Sequence, residues 1–225
     1  MKTVGIIGGL GPETTAKFYL EIISSCAKLN KEARPSILVW NVPIPFKTEE
    51  NLILRGEGQA DYLPFLLDGA KRLERAGADF LVMPCNSVHI FIDEIRNAIK
   101  IPVLSIVDET IKSVKKQRIK KVGILATSIT LDNKLFQKSL EKHRVSFGIP
   151  DADDQLKLGK IILNILSGNP MNRDKKEVTE IIKDMKTDAL ILACTDLQLI
   201  MQKTEDVKII DTMKVLADAT VREIV

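Results

Sequence analysis

The sequence predicts an α/β fold built from two similar halves related by a pseudo-two-fold axis, each a four-stranded parallel sheet flanked by helices. First, short apolar runs rich in β-branched residues alternate with helical patterns along the 225 residues, which is typical of parallel strands buried on both faces. Second, the patterns of the first half recur in the same order in the second. Third, "DFLVMPCNSVHI" (79–90) and "DALILACTDLQLI" (188–200) each place a cysteine just after a predicted strand, 109 positions apart.

Eight predicted strands fall into two sets of four. The first set is 3–8, 36–41, 79–84 and 101–106, and the second is 121–126, 144–149, 188–193 and 207–211. The offsets between matching strands stay near 106–118 residues, which indicates a duplicated α/β half rather than a short repeat.

The segments between the strands predict helices. Pro12 is typical of a first helical position, and Gly77 is typical of a helix end. The predicted helices are 11–29, 61–77, a stripe of apolar residues from Ser87 to Ile99, 130–143, 154–167, 174–186 and 212–224. We expect the last of these to pack back on the first half, which gives one half of residues 1–107 plus 212–225 and another of residues 108–211.

Composition excludes several classes of protein. The net charge is +3, with 33 basic and 30 acidic residues mixed along the chain, so nucleic acid is not an expected partner. No apolar run is long enough to cross a membrane, and no signal peptide precedes the first strand. We therefore expect a cytoplasmic protein. Three cysteines in a reducing compartment do not predict a disulfide framework, and two histidines without ligand spacing predict no metal site.

The paired cysteines are the candidate catalytic groups. Ligands of an open parallel sheet bind beyond the carboxyl ends of its strands, where Cys85 and Cys194 are predicted to lie. A pseudo-two-fold axis would direct both thiols into one cleft, where one could remove a proton from a carbon and the other return a proton to the opposite face. A helix starting after each cysteine would favour a thiolate, so we expect one thiolate and one thiol. The alternative is that both are small buried hydrophobic residues, as we expect for the mid-helix Cys26.

Two turns are candidate ligand-binding segments. The turn Gly9-Leu10-Gly11 lacks the third glycine of a dinucleotide fingerprint, so we expect it to bring backbone close to a small ligand instead. The matching turn of the second half offers hydroxyl groups to a carboxylate, although such residues also cap helices. Its hydroxyl residues are Thr127, Ser128 and Thr130.

Four motifs resemble those of the aspartate/glutamate racemase superfamily, with aspartate racemase the closest branch. They are "GIIGGLGPETT", "MPCNSVH", "VGILATSIT" and "ACTDL", in that order and through nearly the whole chain. The resemblance implies that Cys85 and Cys194 are two acid/base residues and that no cofactor, including pyridoxal phosphate, is needed. It also implies a small amino-acid substrate and a homodimer.

The resemblance further assigns substrate contacts. Asn86, Ser87 and Thr195 are expected to bind the substrate's α-carboxylate or amine, and Lys47 in "IPFKTEE" its side-chain carboxylate, unless Lys47 is a solvated loop residue. His89 is expected to orient the loop of Cys85 or to be a structural histidine.

Two positions depart from the family pattern. Leu166 stands where aspartate racemases often carry Lys, and Leu216 where some members carry His. The first change weakens the expectation of an acidic substrate.

Racemisation of aspartate or glutamate is therefore the leading hypothesis. Its alternatives are a racemase of another amino acid, a same-fold isomerase, decarboxylase or hydantoin racemase, a non-catalytic amino-acid binding protein, and a nicotinamide dehydrogenase.

Overall fold

The structure is a computed structural model that describes residues 1–29, 33–201 and 207–225. Strands and helices alternate through both halves. The first half contains, in order, β1 (Val4–Gly8), α1 (Pro12–Leu29), β2 (Ile37–Asn41), α2 (Phe46–Arg55), α3 (Gln59–Arg75), β3 (Phe80–Val82), a 3₁₀ helix (Ser87–Phe91), α4 (Ile92–Ala98) and α5 (Ile106–Lys116).

The second half repeats this alternation. It contains, in order, β4 (Lys121–Ala126), α6 (Ser128–Asp132), α7 (Gln137–Lys142), β5 (Ser146–Gly148), α8 (Ala152–Leu166), α9 (Asn172–Asp184), β6 (Ala189–Ala193), a second 3₁₀ helix (Thr195–Leu199), β7 (Lys208–Asp211) and α10 (Thr212–Ile224). Among the described helices, none is both long and apolar enough to span a bilayer.

The strands form two parallel sheets, which confirms the predicted fold class. The first has the order β2-β1-β3 and the second the order β5-β4-β6-β7, so β1 and β4 occupy equivalent positions. Each sheet is therefore centred on the strand that precedes one of the two predicted ligand-binding turns.

The first sheet differs from the prediction in its strand count. The expected fourth strand at 101–106 is reduced to a single bridge between Val103 and Leu81, so this sheet has three strands rather than four. Pro102 has no N–H to donate to a ladder. Two residues beyond Val103, the Ser105 side chain accepts a hydrogen bond from the Asp108 N–H at 3.1 Å and begins α5. The chain therefore turns into a helix before a strand can extend.

The largest hydrophobic cluster lies between the two sheets. It joins inward-facing strand residues of both, such as Ile6 and Ile124, to α1, α5 and α10. Two further clusters cover the outer faces, one beneath α3 and α4 and the other beneath α8 and α9. Burial of both faces explains why the interior strands, such as β1 and β6, are continuously apolar.

Helix α10 packs against α1 and α5, on the first half. The Lys2 N–H also donates to the Ile224 carbonyl at 3.2 Å. Helix α5 crosses the boundary predicted between residues 107 and 108. The division into halves of residues 1–107 plus 212–225 and 108–211 stays a prediction.

Candidate active site

Cys85 lies half-buried in the loop between β3 and the first 3₁₀ helix. Its position is fixed through the backbone by His89. The His89 Nδ1 lies 2.8 Å from the Cys85 carbonyl, and the Ile106 N–H donates to His89 Nε2 at 3.0 Å. Because Nε2 accepts, the ring proton is on Nδ1 and is donated to Cys85. Burial lowers the pKa of His89 to about 4, so the ring is a neutral positioning group.

Cys194 is buried directly after β6, at the start of the second 3₁₀ helix. The neighbouring Thr195 hydroxyl donates to the Pro84 carbonyl at 3.1 Å. The two cysteine loops, far apart in sequence, are thus hydrogen-bonded to each other.

Both cysteines line one cavity between the halves. Its volume is about 440 Å³, including the open space at its mouth. The other lining residues are Leu10, Glu49, Leu52, Tyr62, Asn86, Ser87, Val88, Thr127, Ile162, Leu166, Thr195 and Asp196.

Each turn, or the first turn of the helix that follows it, contacts the cysteine loop of the opposite half. In the first contact, the Ser87 hydroxyl lies 2.8 Å from that of Thr127 and 3.2 Å from that of Thr130, which are themselves 3.0 Å apart. In the second, the Thr14 hydroxyl donates to Asp196 Oδ1 at 2.6 Å. These reciprocal contacts hold the two loops around a shared space.

The protonation of the thiols differs from the expectation. Burial and the Asp196 carboxylate raise the pKa of Cys85 to about 12, against the opposing effect of the Val88 and Ser87 N–H groups. The same causes raise the pKa of Cys194 well above its usual range. The helices after the cysteines are five-residue 3₁₀ helices, with little dipole to offset desolvation. With the protein groups alone, both cysteines are thiols at neutral pH, not one thiol and one thiolate.

Asp196 lies beside Cys194, with 3.9 Å between Cys194 Sγ and Asp196 Oδ2. Burial raises its pKa to about 6, although the hydrogen bond from Thr14 acts in the opposite direction. Gly11, at φ +75°, leaves the space that the carboxylate occupies, because an added Cβ would overlap Asp196 Oδ1. This explains the glycine turn, which makes room for a side chain of the opposite half.

Asn86, one of the residues that line the cavity, has an unused acceptor. The Thr212 hydroxyl donates to the Leu192 carbonyl at 2.7 Å and therefore accepts from Asn86 Nδ2 at 3.0 Å. This fixes the orientation of the amide. The buried Asn86 Oδ1 has no hydrogen-bond partner in the described part of the chain.

The structure brings most of the predicted site residues together. Seven line the cavity: Leu10, Cys85, Asn86, Ser87, Thr127, Cys194 and Thr195. The other four do not.

Three of those four lie behind the wall of the cavity or beside it. Thr130 belongs to the hydroxyl cluster with Ser87. Ser128 begins α6, 3.4 Å from Gln155 Nε2. Gly9, at φ +82°, donates its N–H to the Thr15 hydroxyl at 3.0 Å. Lys47, the fourth, is exposed on α2.

Several cavity residues were not predicted as site residues. Glu49 and Leu52 belong to α2, a helix that the sequence pattern does not predict. Tyr62, Val88 and Ile162 are apolar helix positions with no signal of a site. Asp196 was noted only as part of the second cysteine motif and Leu166 only as a departure from the family, yet both line the cavity.

The chain belongs to the Asp/Glu/Hydantoin racemase family, whose model matches residues 7–220. The fold and the paired cysteine loops agree with this class of protein. Family membership confirms the resemblance drawn from the four motifs and the predicted class of enzyme, an amino-acid racemase.

Individual relatives cover nearly the whole chain. The broad specificity amino-acid racemase RacX of Bacillus subtilis is 30% identical over 97% of this chain and 96% of its own length. The aspartate racemase of Picrophilus torridus has a TM-score of 0.83 at 27% identity and covers 99% of this chain and 94% of its own. An aspartate racemase homologue from Pyrococcus horikoshii has a TM-score of 0.76 at 25% identity, covering 99% and 98%.

The positioning role of His89 leads to a prediction about stability. His89→Leu removes two hydrogen bonds and leaves the buried Ile106 N–H without an acceptor, so we expect a loss of roughly 2–4 kcal/mol in unfolding free energy. Urea unfolding measures this loss, and the matched control is His143→Leu at a less buried position. Equal small losses in both variants would contradict the positioning role.

Proposed function

We propose that the protein is a cofactor-independent amino-acid racemase in which Cys85 and Cys194 exchange the α-hydrogen on opposite faces of the substrate carbon. One observation carries this proposal: the two strand-end cysteines, one from each half, line the same cavity. A thiol on each side of a carbon atom is the arrangement that inversion by proton transfer requires.

The chemistry needs only the two thiols as proton carriers. One cysteine, as thiolate, removes the α-proton and becomes a thiol. The opposite thiol then delivers its proton to the other face of the carbanion and becomes a thiolate. The enantiomer is thereby inverted, and the roles are exchanged for the reverse reaction.

Substrate binding is what makes a thiolate accessible in this scheme. The α-ammonium group of an amino acid is a hydrogen-bond donor, and the unpartnered Asn86 Oδ1 is the acceptor we assign to it. A positive charge beside Cys85 lowers the pKa of that thiol, which burial has raised. Cys85 is the better candidate for the first thiolate, because Cys194 is hydrogen-bonded to the Asp196 carboxylate.

The carbanion must be stabilised without an electron sink. Hydroxyl and N–H donors directed at the α-carboxylate would stabilise the enediolate-like intermediate. We assign this role to the Ser87 and Thr127 hydroxyls and to the Thr195 N–H, since these residues line the cavity and the Thr195 hydroxyl already donates to the Pro84 carbonyl. The hydrogen bonds between the halves hold them in place before substrate arrives.

The proposal is tested by incubating the purified, reduced protein with a panel of L-amino acids in D₂O without added cofactor. We expect α-deuteration, seen by NMR, together with appearance of the D-enantiomer, seen by chiral chromatography. Binding of an amino acid without α-deuterium exchange would show a binding protein instead. The homodimeric state and the cytoplasmic location stay predictions.

A further inference from the structure

The charged side chains that line the cavity are both acids, Glu49 and Asp196. No Lys, Arg or His is among the described lining residues. Asp196 is occupied by its contacts with Thr14 and Cys194. Glu49 is half-buried on α2, and no hydrogen bond or ion pair joins its carboxylate to a side chain within the described ranges.

The wall beside Glu49 is apolar. Leu52 and Ile162 are buried, and Leu166 is half-buried near the end of α8. Leu166 is the position at which the sequence departs from the aspartate racemase pattern, where a lysine is common. The cavity therefore has a hydrocarbon surface where a cation would be needed to bind an acidic side chain.

The acidic and apolar groups continue outwards in a second depression between α2 and α8. It shares Glu49 and Leu166 with the cavity of the cysteines and adds Phe46, Glu50, Leu163 and Ser167. A substrate side chain leaving the cysteines would therefore contact both apolar groups and carboxylates.

This combination of apolar and acidic groups discriminates between substrate classes. A substrate carboxylate would be desolvated against Leu166 and repelled by Glu49, two costs with no compensating cation. A side chain with several methylene groups and a terminal ammonium or guanidinium would pack on the leucines and pair with Glu49. Burial and the nearby acids Asp196 and Glu13 raise the pKa of Glu49, and a bound cation would relieve this destabilisation of the carboxylate.

We propose that the substrate is an amino acid with a long cationic side chain, of the lysine and ornithine class, whose terminal charge pairs with Glu49 and whose methylene groups contact Leu166. This inference rests on the proposed racemase function and departs from the acidic substrate that the family resemblance implies.

The test compares lysine with norleucine, which has the same carbon chain without the ammonium group. For the unaltered protein we expect kcat/KM for L-lysine to exceed that for L-norleucine by at least about tenfold, with L-aspartate below both. In Glu49→Gln the advantage of lysine should fall by roughly tenfold to a hundredfold, while racemisation of norleucine stays nearly constant. The matched control Glu57→Gln removes an exposed carboxylate just beyond α2 and should keep the preference for lysine.

The outcomes separate the two proposals. If kcat/KM for norleucine or aspartate equals that for lysine, the proposed cationic substrate class is wrong, but the proposed racemase function stands. If Glu49→Gln reduces lysine and norleucine equally, Glu49 does not select the substrate side chain, and the inference is overturned. If no amino acid in the panel exchanges its α-hydrogen, the proposed function itself fails.

Discussion

Cys85→Ser and Cys194→Ser should each reduce racemisation by about 10³-fold or more. A serine hydroxyl preserves the shape of the side chain but is too weak an acid to exchange protons as a thiol does. Each single variant keeps the thiol on one face of the substrate carbon. In D₂O we therefore expect one variant to exchange the α-hydrogen of one enantiomer for deuterium without inverting it. The other variant should do the same with the opposite enantiomer.

The control for both variants is Cys26→Ala. Cys26 is buried in the hydrophobic cluster between the sheets, away from the cavity. Its replacement should lower the free energy of unfolding without changing the ratio of the rate of α-deuteration to the rate of inversion. Near-normal inversion by either serine variant would mean that the two-thiol scheme is wrong.

Asp196→Asn should make the protein more stable at pH 8 and less active. In the folded protein burial raises the pKa of Asp196 from 3.8 to about 6. Between these values the folded state holds a proton that the unfolded state has released, so this group's contribution to stability is fully present below pH ~4 and is lost as the pH rises through about 6. The raised pKa of Asp196 corresponds to a penalty of as much as about 3 kcal/mol above pH 7.

Urea unfolding at pH 4 and pH 8 measures this penalty. The asparagine variant should gain up to about 3 kcal/mol over the unaltered protein at pH 8 and little at pH 4. The control is Asp188→Asn, an exposed position. Racemisation should fall by roughly tenfold to a hundredfold because the Cys194 thiol loses its carboxylate partner. If the stability gain is the same at both pH values, it does not come from the ionisation of Asp196, and the prediction is wrong.

The strands and the cysteine loops were predictable because their signals are local. Runs such as 122–126 and 189–193 are continuously apolar because both faces are covered, and the strands predicted at 121–126 and 188–193 match β4 and β6 to within one residue. The shortened strand at Val103 was not predictable from apolarity, since what limits it is Pro102 and the helix cap at Ser105. Helix α2 was not predicted; of its described side chains Leu52 is buried, whereas Phe46, Lys47 and Glu50 are exposed.

The candidate site was predictable as a set of residues but not as an electrostatic environment. The repeat placed Cys85 and Cys194 in matching loops, yet the contact of Thr14 with Asp196 joins residues 182 positions apart, which spacing alone does not reveal. The expectation of a lowered thiol pKa followed from a helix start after each cysteine. Desolvation outweighs that effect, and its size depends on packing from both halves.

The position of Thr212 has a consequence for how the enzyme is made. Its hydroxyl supports the amide of Asn86, and α10, which it begins, packs against α1 and α5. A ribosome therefore synthesises both cysteine loops before it reaches the residue that orients the first of them. A nascent chain can pair the strands of its first sheet once residue 82 has emerged, but β7 of the second sheet and the support of Asn86 require residues 208–224. The orientation of the first cysteine loop thus depends on a residue that follows the strands of both sheets in the chain, rather than on either half alone.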